Sequence, residues 1–210
     1  MTSPSQRIEG NPQLQHPLRC QCGKVQGYVI ASGALSRGVC YCKDCQTFAH
    51  FLGKQNEVLD PLGGTEVVPM SPRSVVFTQG KESLACMQLS PKGLLRWYAQ
   101  CCNTPIGNTW RSNKFAYVGV LHNCLETAGG SLNQSFGPVR MYVNTQSAKG
   151  KVSAKSKGTL GGVIRWLGMM LGERISGNYK KSPFFDGTGK PVALPTVLTL
   201  EQRQALRNQL

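Results

Sequence analysis

The chain has 210 residues, 40% of them hydrophobic, which suits one domain of ordinary size with an extension. Its formal charge of +14 favours anionic partners without choosing among nucleic acid, lipid headgroups and an anionic substrate. The first ten residues lack the apolar run of a secretory signal, and nine cysteines cannot all pair as disulfides. We therefore expect a cytoplasmic protein whose clustered thiols bind metal or carry redox chemistry.

The N-terminal residues and the long segment after them differ in composition and in the pattern of apolar residues. Residues 1–17 are polar and contain three prolines, which predicts a disordered N-terminal arm. Residues 18–143 alternate short apolar or β-branched runs with Gly, Pro and Asn turns, and no long helical period stands out. We predict a mainly β domain there, with strand-length segments around 25–30, 74–77, 94–98 and 115–120.

The last third of the chain has a different character. Residues 144–158 are rich in Lys, Ser and Gly and predict a basic linker or an exposed basic loop. Residues 159–210 form a C-terminal extension, ending in a short helix with Thr199 as its N-cap. Within it, residues 160–175 predict an amphipathic helix from the helical spacing of Leu160, Val163, Ile164, Leu167, Met170, Leu171 and Ile175.

The apolar face of this helix has two possible interpretations. It is short and interrupted by Arg165, so no transmembrane segment is predicted. We expect its apolar face to dock on the β domain, and the competing reading is peripheral contact of residues 160–175 with an anionic membrane.

Seven of the nine cysteines fall into three groups, and zinc is the metal that such thiolate groups favour. Gly23 follows the first group and Asn103 follows the third, and both residue types tolerate the left-handed backbone of a tight metal-binding turn. The sequence therefore predicts metal ligands at Cys20, Cys22, Cys40, Cys42, Cys45, Cys101 and Cys102.

The middle group, Cys40, Cys42 and Cys45, differs in kind. Three cysteines within six residues can fill three positions on one zinc ion. If the fourth position stays open to water or substrate, the site is catalytic. If His50 or another distant group closes it, the site is structural. The spacing alone leaves both readings open.

The motifs together resemble the glutathione-dependent formaldehyde-activating enzymes, a family that shares its domain with centromere protein V. The resemblance covers about residues 18–142, and residues 181–186 resemble a bacterial subgroup with a C-terminal extension. The motifs that carry it are Cys20-x-Cys22-Gly23, Cys40-x-Cys42-x-x-Cys45, and Arg96-Trp97-Tyr98 leading into Cys102-Asn103-Thr104-Pro105.

The resemblance implies an antiparallel β-tent held together by zinc, with one zinc shared by the first and third groups. It implies a second, catalytic zinc on Cys40, Cys42 and Cys45. It also implies carbon–sulfur lyase-type chemistry, in which a small-molecule thiol such as glutathione combines with a carbonyl substrate such as formaldehyde to give S-hydroxymethylglutathione.

The third group departs from the family pattern, which places a cysteine three residues before Cys102. Ala99 occupies that position and cannot ligate, whereas Cys101 stands directly beside Cys102. Adjacent residues of an extended chain point in opposite directions, so binding by both sulfurs requires a bent turn. We expect Cys101 to substitute. Cys86, His122 and Cys124 are the alternative ligands if Cys101 does not bind. The remaining alternative is that this zinc site has been lost. The chain would therefore bind one or two zinc ions.

Two functions compete. An enzyme would place basic groups beside the open zinc, with Arg96, Arg111 and Lys114 as candidates for binding carboxylates. A non-catalytic, zinc-folded module would use its charge to bind nucleic acid or another anionic surface, since residues 140–190 hold ten Lys or Arg against Glu173 and Asp186. We expect Cys86 to be buried, and three aromatic residues to serve as core rather than as substrate platform, namely Trp97, Tyr98 and Trp110.

Overall fold

The computed structural model describes residues 15–126, 131–156 and 159–210. The predicted arm therefore lies mostly outside the described residues. Residues 15–17, predicted to belong to that arm, instead begin the first strand. His16 is buried there, and its Nδ1 lies 2.7 Å from the Ser135 hydroxyl oxygen. A buried, hydrogen-bonded ring fixes this segment to the domain.

The described chain is mainly β. Its strands are short and lie close to the predicted segments, because β-branched and aromatic residues fill them. They are β1 Gln15–Arg19, β2 Gln26–Ile30, β3 Arg37–Cys40, β4 Thr65–Met70, β5 Val75–Gln79, β6 Leu84–Gln88, β7 Leu95–Ala99, β8 Thr104–Thr109, β9 Val118–Leu121, β10 Val139–Val143 and β11 Thr196–Val197.

These strands form two sheets. The smaller sheet has the order β1-β2-β5, and the larger has the order β10-β3-β4-β9-β8-β7-β6-β11. All pairings are antiparallel except the two at the edges of the larger sheet, where β10 runs parallel to β3 and β11 runs parallel to β6. The implied antiparallel arrangement therefore holds for the described pairings except at these two edges, where strands from late in the sequence join the sheet in parallel.

In the described ranges six α-helices accompany the sheets, and the sequence predicted only the last two of them. The helices are α1 Lys43–Phe51, α2 Gln55–Val58, α3 His122–Glu126, α4 Leu132–Phe136, α5 Thr159–Ile175 and α6 Leu200–Arg207. Helix α6 begins at the predicted cap, since the Thr199 hydroxyl accepts from the Gln202 amide and the Gln202 side chain bonds back to Thr199. This reciprocal pair is a capping box.

The main core lies between the two sheets and is centred on Trp97. Its indole donates to the Thr109 hydroxyl at 2.9 Å, which satisfies its one polar group. Phe184 is fully buried against it, with ring centroids 5.2 Å apart, and Phe77 packs on the other side of Phe184. The segment after residue 159 therefore contributes directly to the core instead of lying outside it.

The C-terminal end is also fixed to the body of the domain. Leu198 is buried in a second apolar group with Phe48 and Leu52 of the α1 region. The Arg207 guanidinium pairs with Asp44 at 2.6 Å, which ties α6 to the first turn of α1. The predicted linker is an exposed loop over residues 144–156, although the Ser147 carbonyl accepts from the buried Gln46 amide.

Helix α5 forms where predicted but packs differently. The expectation that its apolar face docks on the β domain is wrong, because Leu160, Ile164 and Leu167 are more than half exposed. The helix instead packs through the opposite face, which carries the half-buried Trp166 and the buried Glu173. None of the described helices combines the length and apolar character that crossing a bilayer requires.

The packing of Phe184 can be tested by truncation. We expect Phe184→Ala to lower the free energy of unfolding by about 3–5 kcal/mol, since it deletes a fully buried aromatic ring and leaves a cavity beside Trp97. Phe115→Ala is the matched control, because Phe115 is half exposed, and we expect it to cost less than about 1 kcal/mol. Urea unfolding of both zinc-saturated proteins measures the difference. Equal losses would contradict a core role for the segment after residue 159.

Candidate metal centres

The first centre joins two turns that are about eighty residues apart in sequence. The turn after β1 supplies Cys20 and Cys22, and the turn between β7 and β8 supplies Cys101 and Cys102. The Sγ atoms lie 3.6 Å apart for Cys20 and Cys22, 3.8 Å for Cys20 and Cys101, 3.2 Å for Cys22 and Cys101, and 3.8 Å for Cys101 and Cys102. Four sulfurs thus converge on one point.

Backbone conformation explains how adjacent cysteines can both face this point. Asn103 has φ 55° and Gly23 has φ 79°, so both adopt the left-handed conformation predicted from their residue types. The β7–β8 turn is therefore bent and not extended at Cys101 and Cys102, which removes the alternation that would separate the two side chains. Ala99 is the last residue of β7 and is fully buried, so it has no part in the site.

Thr104 connects the two turns. Its hydroxyl accepts from the Gln21 amide at 2.9 Å and lies 3.1 Å from the Cys102 sulfur. Although burial raises the pKa of Cys102, hydrogen bonds with Thr104 and Cys22 lower it to about 6. The Val25 amide also donates to the Cys20 sulfur at 3.2 Å. Donors aimed at sulfur favour the thiolate, which is the form that binds metal.

The donor set of this centre suits zinc. Tetrahedral zinc with bonds of about 2.3 Å places its sulfur ligands about 3.8 Å apart. The four sulfurs all lie within 4.8 Å of one another, so small side-chain adjustments would complete such a site. The structure thus provides a set of four cysteines that could hold a metal ion, and whether zinc binds there stays a prediction.

The three reserve ligands lie elsewhere. Cys86 is buried in β6, as predicted, and burial raises the pKa of its thiol to about 12. Cys124 is buried and donates to the Leu121 carbonyl at 3.2 Å. The His122 Nδ1 lies 3.2 Å from the Glu66 carbonyl. Each of these groups therefore has a local structural environment and does not belong to either cysteine cluster.

The second centre stands at the start of helix α1, which the sequence analysis missed. Cys40 ends β3, Cys42 is the N-cap of α1, and Cys45 lies in its first turn. The Cys45 amide donates to the Cys42 sulfur at 3.3 Å, so a thiol here does the work of a Ser or Asp cap. The local signal was Lys43-Asp44 after the cap, since an acidic residue favours the first turn of a helix.

Neighbouring groups make this cluster suited to negative charge. The Asn144 amide nitrogen donates to the Cys40 sulfur at 3.3 Å. Hydrogen bonds from Cys42 and Cys45 lower the pKa of Cys40 well below its ordinary value, whereas hydrogen bonds with Cys40 and Cys42, together with burial, raise the pKa of Cys45. The cluster therefore loses its first thiol proton readily, from Cys40. The remaining thiol protons are lost with difficulty unless a cation binds to the cluster.

Arg96 is the cationic neighbour of this cluster. Its side chain comes from β7, is only 3% exposed, and places Nη1 4.0 Å from the Cys45 sulfur. Its other contacts are the side-chain oxygen Oδ1 of Asn108, which accepts from Nη1 at 3.4 Å, and the face of the Phe48 ring, whose centroid lies 5.4 Å from the guanidinium carbon. Across the described ranges no carboxylate pairs with Arg96. A buried guanidinium requires a compensating negative charge, and the cysteine cluster is the group in position to provide it.

A cavity of about 540 Å³ opens beside the second centre. All three cysteines and Arg96 line it, together with Asn108 and a wall of larger side chains from several elements. Within the part of the chain that the structure describes, no further His, Cys, Asp or Glu joins these three sulfurs to complete a set of four. The site therefore has three potential ligands and one side that faces a cavity of ligand-binding size.

Two sequence predictions about this pocket fail. Arg111 and Lys114 are exposed and do not line it, because the β8–β9 connection turns their side chains to solvent. Trp110 is 42% exposed and forms part of the pocket wall, so it is not a core residue. Trp97 is in the main core as predicted, whereas Tyr98 is half-buried against the second apolar group. The alternation of side chains along β7 explains why these two neighbours differ.

Comparison with known proteins places the chain in one family. Residues 14–195 match the model of DUF6151, a family of unknown function. The chain belongs to this family. The matched range includes α5 and the segment that carries Phe184, so these parts belong to the family's fold and are not an addition to it.

The other comparisons add little. A crystal structure of a Rhodobacter sphaeroides protein shares 18% sequence identity with the chain, with a TM-score of 0.39, and covers 60% of this chain and 99% of that one. A structural similarity with so low a TM-score carries no argument about the function of this chain. No curated protein matches the chain.

Zinc stoichiometry tests the two centres separately. We expect the purified protein to hold two zinc ions, and Cys42→Ser and Cys101→Ser each to lower the count to one, because each removes a ligand from a different centre. Elemental analysis of the desalted proteins gives the counts. Cys86→Ala is the matched control, since this cysteine belongs to neither cluster, and it should keep both ions. A count of one in the wild type would leave only one centre as a zinc site.

Proposed function

We propose that this protein is a zinc-dependent enzyme that joins a thiol to a carbonyl carbon, the chemistry implied by its resemblance to glutathione-dependent formaldehyde-activating enzymes. In this proposal the first centre is a closed, four-cysteine zinc site that holds the two sheets of a β-tent together. The second centre has three cysteines and would leave a zinc ligand position open toward the cavity. Closed sites are typically structural and open sites typically catalytic.

The observation that carries the proposal is the burial of Arg96 beside the three-cysteine cluster. Three thiolates and one Zn²⁺ have a net charge of −1, which one guanidinium neutralises. A centre of this charge would repay the cost of burying Arg96. The metal-free cluster with Cys40 alone ionised would carry the same charge, so the pairing supports an anionic cluster at this position, and the three clustered sulfurs are what favour a metal there.

Each neighbouring side chain has a defined role in this proposal. Zinc bound there would act as a Lewis acid that lowers the pKa of a substrate thiol. Asn144 orients the Cys40 sulfur, and Asn108 together with the Phe48 ring holds the Arg96 guanidinium at Cys45. Arg96 also offers positive charge to the cavity, where it can attract an anionic substrate or a developing oxyanion.

The proposed reaction is an addition. A carbon–sulfur bond forms between the thiol and the carbonyl carbon, the carbonyl π bond breaks, and the thiol proton ends on the former carbonyl oxygen. No oxidant or reductant is needed. The overall charge of +14 favours an anionic thiol such as glutathione, and the cavity of about 540 Å³ lies in the range of small-molecule sites.

Cobalt substitution tests the open ligand position. We expect saturating glutathione to change the visible absorption spectrum of the Co²⁺-loaded protein, because a new thiolate would enter the coordination sphere of the second centre. The change should persist in Cys101→Ser, which removes only the first centre, and vanish in Cys42→Ser. A spectrum that glutathione leaves unchanged in the wild type would sink the proposal.

Turnover requires a separate measurement. NMR with ¹³C-formaldehyde and glutathione follows the formation of the hemithioacetal S-hydroxymethylglutathione. We expect the zinc-loaded wild type to accelerate it above the spontaneous rate and Cys42→Ser to leave it at that rate. Binding of thiol without acceleration would indicate that this site acts on another carbonyl compound or only binds thiols.

The role of Arg96 gives a prediction about metal retention. We expect Arg96→Met, which keeps the length of the side chain but removes its charge, to weaken zinc binding at the second centre about 10- to 100-fold. A chelator titration should then remove one of the two ions from the variant at concentrations that spare both ions of the wild type. Arg111→Met is the control, because Arg111 is exposed and does not line the cavity. Identical titrations of the two variants would remove Arg96 from the argument.

A further inference from the structure

Helix α5 exposes a continuous apolar stripe. Its six large apolar side chains are between 49% and 78% exposed, and they occupy about a third of the helix circumference. The stripe consists of Leu160, Val163, Ile164, Leu167, Leu171 and Ile175. Seventeen residues of helix are about 26 Å long, so the stripe is a large exposed apolar surface for a single helix. Surfaces of this kind mark an interaction site.

The opposite face of α5 is held on the domain, so the helix is oriented. The Glu173 carboxylate is buried and pairs with Arg73 at 2.6 Å. The Trp166 ring meets Tyr117 edge-on, with centroids 6.4 Å apart. Gly162 lies close to Met141, where even a Cβ would be only 3.6 Å from the sulfur. These contacts fix which residues point outward, and the outward ones are the stripe.

The exposed charges that α5 and the chain beside it supply have one sign. Arg165, Arg174, Lys180 and Lys181 are all exposed; Arg174 lies in the last turn of the helix, and Lys180 and Lys181 follow its C-terminal end closely. Between residues 140 and 185 the only acidic residue is Glu173, which is buried and paired. The exposed charges that this stretch of chain places beside the stripe are therefore cationic, and they would attract an anionic surface and repel a basic one.

We propose that α5 docks the protein on an anionic membrane surface, with the stripe in the lipid interface and the basic side chains at the headgroups. An apolar face with a basic border is the pattern of helices that lie in this plane. The stripe is convex, because it follows one side of a helix, and a lipid surface can accept a convex face without a preformed groove. Nucleic acid would satisfy the basic residues and leave the stripe in water.

Docking by this face would also orient the second centre. Gly162, Val163 and Trp166 belong to α5 and line the cavity beside Cys40, Cys42 and Cys45. Val163 belongs to the stripe as well. Membrane contact would therefore bring one wall of this cavity to the lipid boundary. The membrane proposal does not depend on the proposed reaction, since it rests on the stripe and its charges.

Vesicle binding tests this proposal with the full-length, zinc-loaded protein. We expect cosedimentation with vesicles of phosphatidylglycerol and phosphatidylcholine, and little or none with phosphatidylcholine alone. Raising the salt from about 0.1 M to about 1 M shortens the screening length from about 10 Å to about 3 Å and should weaken binding. Equal binding to both kinds of vesicle would overturn the electrostatic part of the proposal.

Two matched pairs of variants separate the stripe from nonspecific attraction. Leu167→Asp with Leu171→Asp should weaken vesicle binding at least tenfold. Leu194→Asp with Leu200→Asp changes leucines outside α5 that are even more exposed, and it should leave binding unchanged. Lys180→Glu with Lys181→Glu should weaken binding, whereas Lys81→Glu with Lys92→Glu, which makes the same charge change elsewhere on the surface, should have a smaller effect.

The remaining outcomes test whether the stripe binds a second copy of the protein or a nucleic acid instead of a membrane. Retained zinc stoichiometry and far-UV circular dichroism show that a variant is folded. If the free wild type is a dimer by light scattering, and the α5 aspartate pair makes it a monomer without altering vesicle binding, the stripe is a contact between copies and the proposal is wrong. Salt-sensitive binding to RNA or DNA without vesicle binding would equally overturn it.

Discussion

The alternation of side chains along β7 constrains both the core and the second centre. Consecutive residues of a strand face opposite sides of the sheet. Trp97 therefore enters the core and Arg96 enters the cavity beside Cys45. The same strand ends at Ala99, where the turn to β8 begins and carries two cysteines of the first centre. A shift of one residue in this strand would exchange the tryptophan with the arginine and disrupt both.

The two cysteine clusters differ because their backbones differ. The first lies between two tight turns, in which Gly23 and Asn103 supply left-handed conformations, and it gathers four sulfurs. The second lies at a strand end and a helix N-terminus, where Cys42 replaces the usual capping oxygen and one side stays toward a cavity. The electrostatic surroundings also differ, since a buried guanidinium faces only the second cluster.

The final fifty residues serve the fold and the surface at once. Phe184 completes the core beside Trp97, and α6 closes over α1 through Arg207 and Asp44. Helix α5, by contrast, is attached by Trp166 and Glu173 and keeps its most apolar face outside. The buried face of this helix makes partly polar contacts, while its leucines are exposed. Such a helix is positioned for an interaction and not for core formation.

Local chemistry is what the sequence by itself determined. The cysteine spacings, the left-handed turns at Gly23 and Asn103, the Thr199 cap and the span of α5 depend on residues within a few positions of each other. The tertiary structure decided the rest. Cys101 joins Cys20 and Cys22 only because the turn after β1 and the turn after β7 meet, and Arg96 meets Cys45 only through the tertiary fold. The exposed face of α5 also escaped prediction, because helical periodicity identifies an apolar face but not whether anything covers it.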